Sequence, residues 1–278
     1  MKFIDQLKNR WAAADSMLCV GLDPNPERFP EPVRGKSDAT YEFCRRIVDA
    51  TAEYVCAFKP QFAYFAALRE LGALERIVGY IHEKHPGIPV ILDSKRGDIG
   101  STARAYAKES FEVYGADAVT LSPYMGFDTV EPYLEYEDRG VFILCRTSNP
   151  GGRDIEMLQA GERKVFEHVA AFAAGPWNTN GEMGVVVGAT FPEELGVVRV
   201  IAPSIPFLVP GIGAQGGDIN AAVRAGLSSD GWGMVINSSR AVIYAGIGPD
   251  FDLAAARAAQ KTRDAIREAK AAALSAHP

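Results

Sequence analysis

The sequence predicts an α/β protein built as a single (β/α)₈ barrel over residues 1–278. Three observations carry this. Eight short apolar runs recur along the chain, each followed by a stretch with helical periodicity. The runs are apolar on both parities, as strands covered on both faces must be. No linker-like shift in composition divides the chain, and 278 residues is a length that such barrels use as one domain.

The chain opens with an amphipathic, charged stretch, residues 1–15, and the first apolar run is 17–23. A Pro-rich connection, 24–36, follows it. Beyond Ser37, the residues Cys44, Ile47, Val48, Thr51 and Val55 share one 3.6-residue face and predict the first crossover helix. The second and third runs are 54–59 and 88–94. Ser101 and Thr102 read as a helix start. Ala103, Tyr106, Ala107, Ser110 and Tyr114 line one face of that helix, and Gly115 ends it. The fourth and fifth runs are 118–122 and 141–147. The next connection, 149–182, is longer than one loop and one helix require, and its 175–181 portion is irregular. Both long connections read as decoration on the barrel. Runs six to eight are 183–188, 207–210 and 233–237, and the last helix lies near 251–273. Regular strand–helix alternation implies parallel strands. Eight units favour a closed TIM barrel over an open doubly wound sheet.

Hydrophobic residues make up 47% of the chain and charged residues 23%, with a net charge of -6. An acidic balance argues against a general nucleic-acid surface, which needs clustered Lys and Arg, and leaves room for a local basic pocket. The cysteines Cys19, Cys44, Cys56 and Cys145 form no C-x-x-C pair and read as small reduced core residues. Of the four histidines, only His82 and His85 stand at a ligand-like spacing, in a charged helix end before Pro86. No metal site is therefore expected. The sequence shows no signal peptide and no apolar stretch of membrane-spanning length. A soluble, reduced cytoplasmic protein with no membrane or nucleic-acid partner is the expectation. The RGD tripeptide at 96–98 falls in the turn after the third run and is read as coincidence.

In such barrels the chemistry sits at the C-terminal strand ends. Here those ends carry charge: Asp23 after the first run, Lys59 after the second, Asp93 and Lys95 at the third, with Asp98 in the next turn. Asp93 and Lys95 are two apart, so a regular strand places them on one face. An alternating array of Lys59, Asp93, Lys95 and Asp98 is the arrangement that survives burial, because an unpaired buried charge costs several kcal/mol. Ordinary ion pairs closing the barrel rim would produce the same pattern. At the opposite side, PGIGAQGGD at 210–218 follows the seventh run and NSSR at 237–240 follows the eighth. Glycines allow close backbone approach, the next helix offers N–H groups to an anion, and Arg240 supplies a planar fork. The loops after strands seven and eight are the usual phosphate cradle in barrels. No G-x-G-x-x-G follows the first run, so this is no dinucleotide site.

Together, VGLDP at 20–24, FK at 58–59, D-x-K-R-G-D-I at 93–99, TSNPGG at 147–152 and PGIGAQGGD at 210–218 resemble the orotidine 5′-phosphate decarboxylase family. The resemblance spans residues 21–240. It departs from compact members at Asn149, where they commonly carry His, and at Ser239, where they carry Gly. It is closer to the longer bacterial branch. The resemblance implies decarboxylation of orotidine 5′-monophosphate to UMP, without metal or any cofactor, in pyrimidine biosynthesis. It implies that Asp23 and Lys59 hold the ribose hydroxyls, and that Lys59 pairs with Asp93. Ser148 would contact the pyrimidine ring, while Gln215, Gly216 and Arg240 hold the 5′-phosphate and Thr102 joins the substrate-binding set. Lys95 would donate the proton. The resemblance further implies a homodimer in which Asp98 reaches the ribose in the neighbour's site.

Loss of CO₂ from C6 leaves an in-plane carbanion that the ring π system cannot delocalise effectively, and an ammonium beside C6 can stabilise and then protonate it. Asp93 would act by repelling the substrate carboxylate or by orienting Lys95. Two other functions remain open. A sister 3-keto-sugar-phosphate decarboxylase would need Mg²⁺ held by carboxylates, with an acid where Lys59 stands. A non-catalytic phosphate-binding barrel would need neither internal lysine.

Overall fold

A computed structural model describes residues 1–212 and 217–276. Its strands are β1 (Leu18–Leu22), β2 (Ala57–Pro60), β3 (Ile91–Arg96), β4 (Ala118–Leu121), β5 (Gly140–Arg146), β6 (Met183–Val187), β7 (Phe207–Val209) and β8 (Met234–Ser238). They form one sheet in the order β2-β1-β8-β7-β6-β5-β4-β3, all pairs parallel. The remaining seam, between β2 and β3, is joined by bridges at Phe58–Val90 and Gln61–Asp93, so the sheet rolls into a nearly closed barrel. All eight expected strands are present.

Several boundaries differ from the sequence expectation. The first crossover helix spans Ala39–Thr51 and buries Cys44, Ile47, Val48 and Thr51, but Val55 lies beyond it. A 3₁₀ turn at Ala52–Tyr54 delays β2 to Ala57. The helix after β3 starts at Gly100 with Ile99 at its N-cap, so Ser101 and Thr102 sit inside its first turn and do not cap it. It passes into a π-helical turn at Glu109–Val113 before Gly115, whose φ of 67° ends it. The long 149–182 connection holds a 3₁₀ turn at Pro150–Gly152 and a helical turn at Arg153–Glu156. A small antiparallel hairpin pairs Gln159–Ala160 with Arg163–Lys164, and the crossover helix Val165–Ala174 follows.

The N-terminal mouth of the barrel is closed by the helix Phe3–Ala14, which buries Phe3, Leu7 and Trp11 at i, i+4 and i+8. Phe3 meets Phe142 edge-on at 5.8 Å, and Gly140 is bare because a Cβ there would stand 2.2 Å from the Phe3 ring. Trp11 stacks on Trp232 at 6.2 Å. Each such buried side chain contributes roughly 1.5–3 kcal/mol. All four cysteines are buried free thiols, and burial pushes the Cys19 thiol up to about 12. With one mouth plugged, the open cup lies at the other, C-terminal end. No described helix is long and apolar enough to cross a membrane.

Candidate active site

A cavity of about 1030 Å³ occupies the C-terminal end of the barrel. Its floor is made where the strands end: Lys59 and Gln61 from β2 and the turn after it, Asp93 from β3, Thr120 from β4, Leu144 from β5, Val186 from β6, Leu208 from β7 and Asn237 from β8. One half is therefore charged and the other apolar. Asp23, just past β1, completes the charged half.

Asp93 is at the centre of that half. Its Oδ2 accepts from Lys59 Nζ at 2.7 Å and from Gln61 Nε2 at 3.1 Å, and its Oδ1 accepts from Lys95 Nζ at 2.6 Å and Thr120 Oγ1 at 2.9 Å. Burial alone would raise the carboxyl, but the Lys59 and Lys95 ammonium groups outweigh it and hold it well below the usual carboxylate range. Burial alone would likewise lower Lys59, which is 4% exposed; the carboxylates of Asp93 and Asp23 reverse this and keep it firmly charged.

Lys95 reaches Asp93 by a different route from regular strand alternation. Its φ is 48°, in the left-handed region, and the pairing of β3 with β4 shifts between Leu92 and Arg96. A non-glycine residue held there costs about 1–3 kcal/mol and persists only where its surroundings over-determine it. Thr120 does this. Its Oγ1 accepts from the backbone N–H groups of Ser94 at 3.1 Å and Lys95 at 3.0 Å while donating to Asp93. The bulge turns the Lys95 side chain, 46% exposed, into the cup beside Asp93.

Asp98 and Thr102 are not brought into this cavity. The Asp98 carboxylate accepts from the N–H of Ile99 in its own turn, and Thr102 is exposed on the next helix. Within one chain the alternating array therefore runs Lys59–Asp93–Lys95 and stops there. Ser148 and Arg240 both line the cavity. Gln215 and Gly216 lie outside the described residues. The base of their loop is closed by an Ile212–Gly217 bridge, with Gly211 at φ 100° and Gly217 so close that a Cβ would stand 2.7 Å from Gly211 O. The next helix, Ile219–Gly226, differs from expectation. Asp218 caps it, accepting from the N–H groups of Asn220 at 2.8 Å and Ala221 at 3.3 Å, so these are not offered to an anion.

Three residues of the site were not anticipated: Gln61, Thr120 and Asn237. They are uncharged polar residues at strand ends, and only the parity they share with Lys59 and Asp93 hints at them. Asn237 Oδ1 and Asp23 Oδ1 are buried acceptors with no hydrogen bond from the described residues, which suits a ligand bearing hydroxyls. Among the described residues no group of three or more His, Cys, Asp or Glu side chains could hold a metal ion.

The family profile described as "Orotidine 5′-phosphate decarboxylase / HUMPS family" matches residues 16–257. A curated relative, the orotidine 5′-phosphate decarboxylase of Dechloromonas aromatica (strain RCB), is 59% identical over 266 residues, which are 96% of this chain and 98% of that one. The solved structure of Leishmania donovani OMP decarboxylase is 43% identical and superposes with a TM-score of 0.83, covering 96% of this chain and 99% of that one. The Leishmania donovani UMP synthase structure is 45% identical with a TM-score of 0.85, and 57% of its length is covered.

Proposed function

Because this chain belongs to the orotidine 5′-phosphate decarboxylase family, and so is a carbon–carbon lyase acting in pyrimidine synthesis, we propose how its own residues carry out the reaction. The nucleotide lies across the cup. Its 5′-phosphate meets Arg240 and the 211–217 loop, its ribose hydroxyls meet Asp23 and Lys59, and its ring meets Ser148 and the apolar wall of Leu144, Val186 and Leu208. C6 then faces Lys95. The C6–carboxylate bond breaks, CO₂ leaves, and the electron pair stays in the ring plane at C6. The Lys95 ammonium stabilises that pair electrostatically, donates its proton to C6 and regains one from water. Asp93 holds Lys95 in place and keeps a second negative charge near the departing carboxylate. Phosphate binding, remote from C6, holds the substrate in the reactive pose.

The observation that carries this reading is the Lys59–Asp93–Lys95 array, with two ammonium groups on one buried carboxylate. It also favours a metal-free reaction over an enediolate-forming one, because a lysine occupies the position where a divalent cation would need an acidic ligand. The test adds orotidine 5′-monophosphate to chelator-treated protein and follows the loss of ultraviolet absorbance. The expected kcat is unchanged by chelation. Inhibition that Mg²⁺ reverses would overturn the metal-free mechanism.

A further inference from the structure

Arg146, the last residue of β5, is wholly buried at 0% exposure, yet it has no part in the chemistry above and does not line the cavity. Its guanidinium packs behind the 147–152 loop, over the Phe191 ring at 4.1 Å and 3.8 Å from Glu194 Oε1. Nη1 donates to the carbonyl of Thr147 at 2.9 Å and to Glu156 Oε2 at 2.9 Å. Glu156 in turn accepts from the Thr147 N–H at 3.0 Å and the Thr147 hydroxyl at 2.6 Å. One ion pair thus grips the N–H, the C=O and the side chain of the residue directly before Ser148.

The far side of Ser148 is equally constrained. A Cβ on Gly188, after β6, would stand 2.8 Å from Ser148 Cβ and 2.9 Å from its Cα and N. A Cβ on Gly152 would stand 2.7 Å from Glu156 Oε2. The Ser148 backbone is therefore wedged between a bare glycine and Thr147, which Arg146 and Glu156 hold. For stability alone, a well-packed apolar pair of the same volume would serve as well as a buried ion pair. What the ion pair adds here is directional hydrogen bonding to Thr147, with Glu156 on its N–H and hydroxyl and Arg146 on the carbonyl of the Thr147–Ser148 peptide.

We propose that Arg146 and Glu156 are positioning residues that hold Ser148 against the substrate ring, so that their effect on turnover passes through Ser148. This rests on the assignment of Ser148 to the pyrimidine. The test is a double-mutant cycle on kcat/KM with orotidine 5′-monophosphate, using Glu156→Gln, Ser148→Ala and the pair. Misplacement on the scale of 1 Å can cost up to about a hundredfold, so each single variant should lose about tenfold or more. The pair should be no worse than Ser148→Ala alone within about twofold, because coupled residues are non-additive. Glu156→Asp, which keeps the charge but shortens its reach, repeats the cycle should Glu156→Gln fold poorly. Losses that multiply, or single Glu156 variants within about twofold of wild type, would overturn the proposal, since general destabilisation does not depend on Ser148. Ser148→Ala without effect would remove the Ser148 assignment itself, and the proposal with it, whatever the Glu156 variants do.

Discussion

Asp93 accepts hydrogen bonds from four side chains, two of them cationic, and is 6% exposed. Asp93→Asn would leave the buried Lys59 facing a neutral amide, and breaking a buried pair from one side costs about 3–5 kcal/mol. Denaturant unfolding at pH 7 should show a loss of that order. The sign of the pH dependence follows from the lowered carboxyl. Its stabilisation is full above the unfolded value near roughly 4 and fades as pH falls below it. The gap between wild type and Asp93→Asn should therefore narrow from pH 7 to pH 3; a gap that widens would contradict the pairing. At the other end of the substrate, Arg240→Ala should lower kcat/KM by at least about tenfold, since a charged hydrogen bond is worth roughly 1.5–3 kcal/mol. Orotidine, lacking the phosphate, should barely register the same change, and equal losses on both substrates would contradict the assignment. Charges such as Asp93 and Lys59 were legible in the sequence because apolar strands seldom end in them without reason. Gln61 and Asn237 were not, because an amide at a strand end is too common to mark a site.

At the scale of the element, β3 is where the period-2 expectation met its limit. Asp93 and Lys95 do converge, but through a left-handed Lys95 and a bulge rather than through the pleat. Sequence parity cannot encode that. The device is the Thr120 hydroxyl on the neighbouring strand, bonded to Ser94, Lys95 and Asp93 together. Thr120→Val keeps the volume and strands two N–H groups, each costing about 1–3 kcal/mol if left unpaired. The expected result is a loss of about 2 kcal/mol in unfolding free energy and at least about tenfold in kcat, as Lys95 leaves its pose. A variant that loses stability but retains kcat would show that Thr120 does not position Lys95. Elsewhere the eight strands were legible because burial on both faces forces apolar runs that are continuous rather than alternating. Helix starts were less so, because the helix after β3 uses Ile99 where Ser101 and Thr102 had the better capping chemistry.

At the scale of the whole molecule, the barrel brings every expected charge except Asp98 to one cup. Asp98 and Thr102 stand outside that cup, and the proposal for them is that they serve the site of a second copy of the chain. A two-fold dimer sharing its sites makes a specific statistical prediction. Lys95→Ala and Asp98→Ala homodimers should each be poorly active. After mixing and verified subunit exchange, about a quarter of all sites should regain activity, since half the dimers are mixed and each carries one intact site. No recovery would place Asp98 in its own chain's site or in none. Lys95 is proposed as the group that stabilises and protonates C6 without a metal. Its most direct test is the kcat of Lys95→Ala with saturating orotidine 5′-monophosphate in chelated buffer, beside wild type. General acid catalysis and charge stabilisation lost together predict a fall of at least about a thousandfold. A variant that keeps a tenth or more of the wild-type kcat would contradict it.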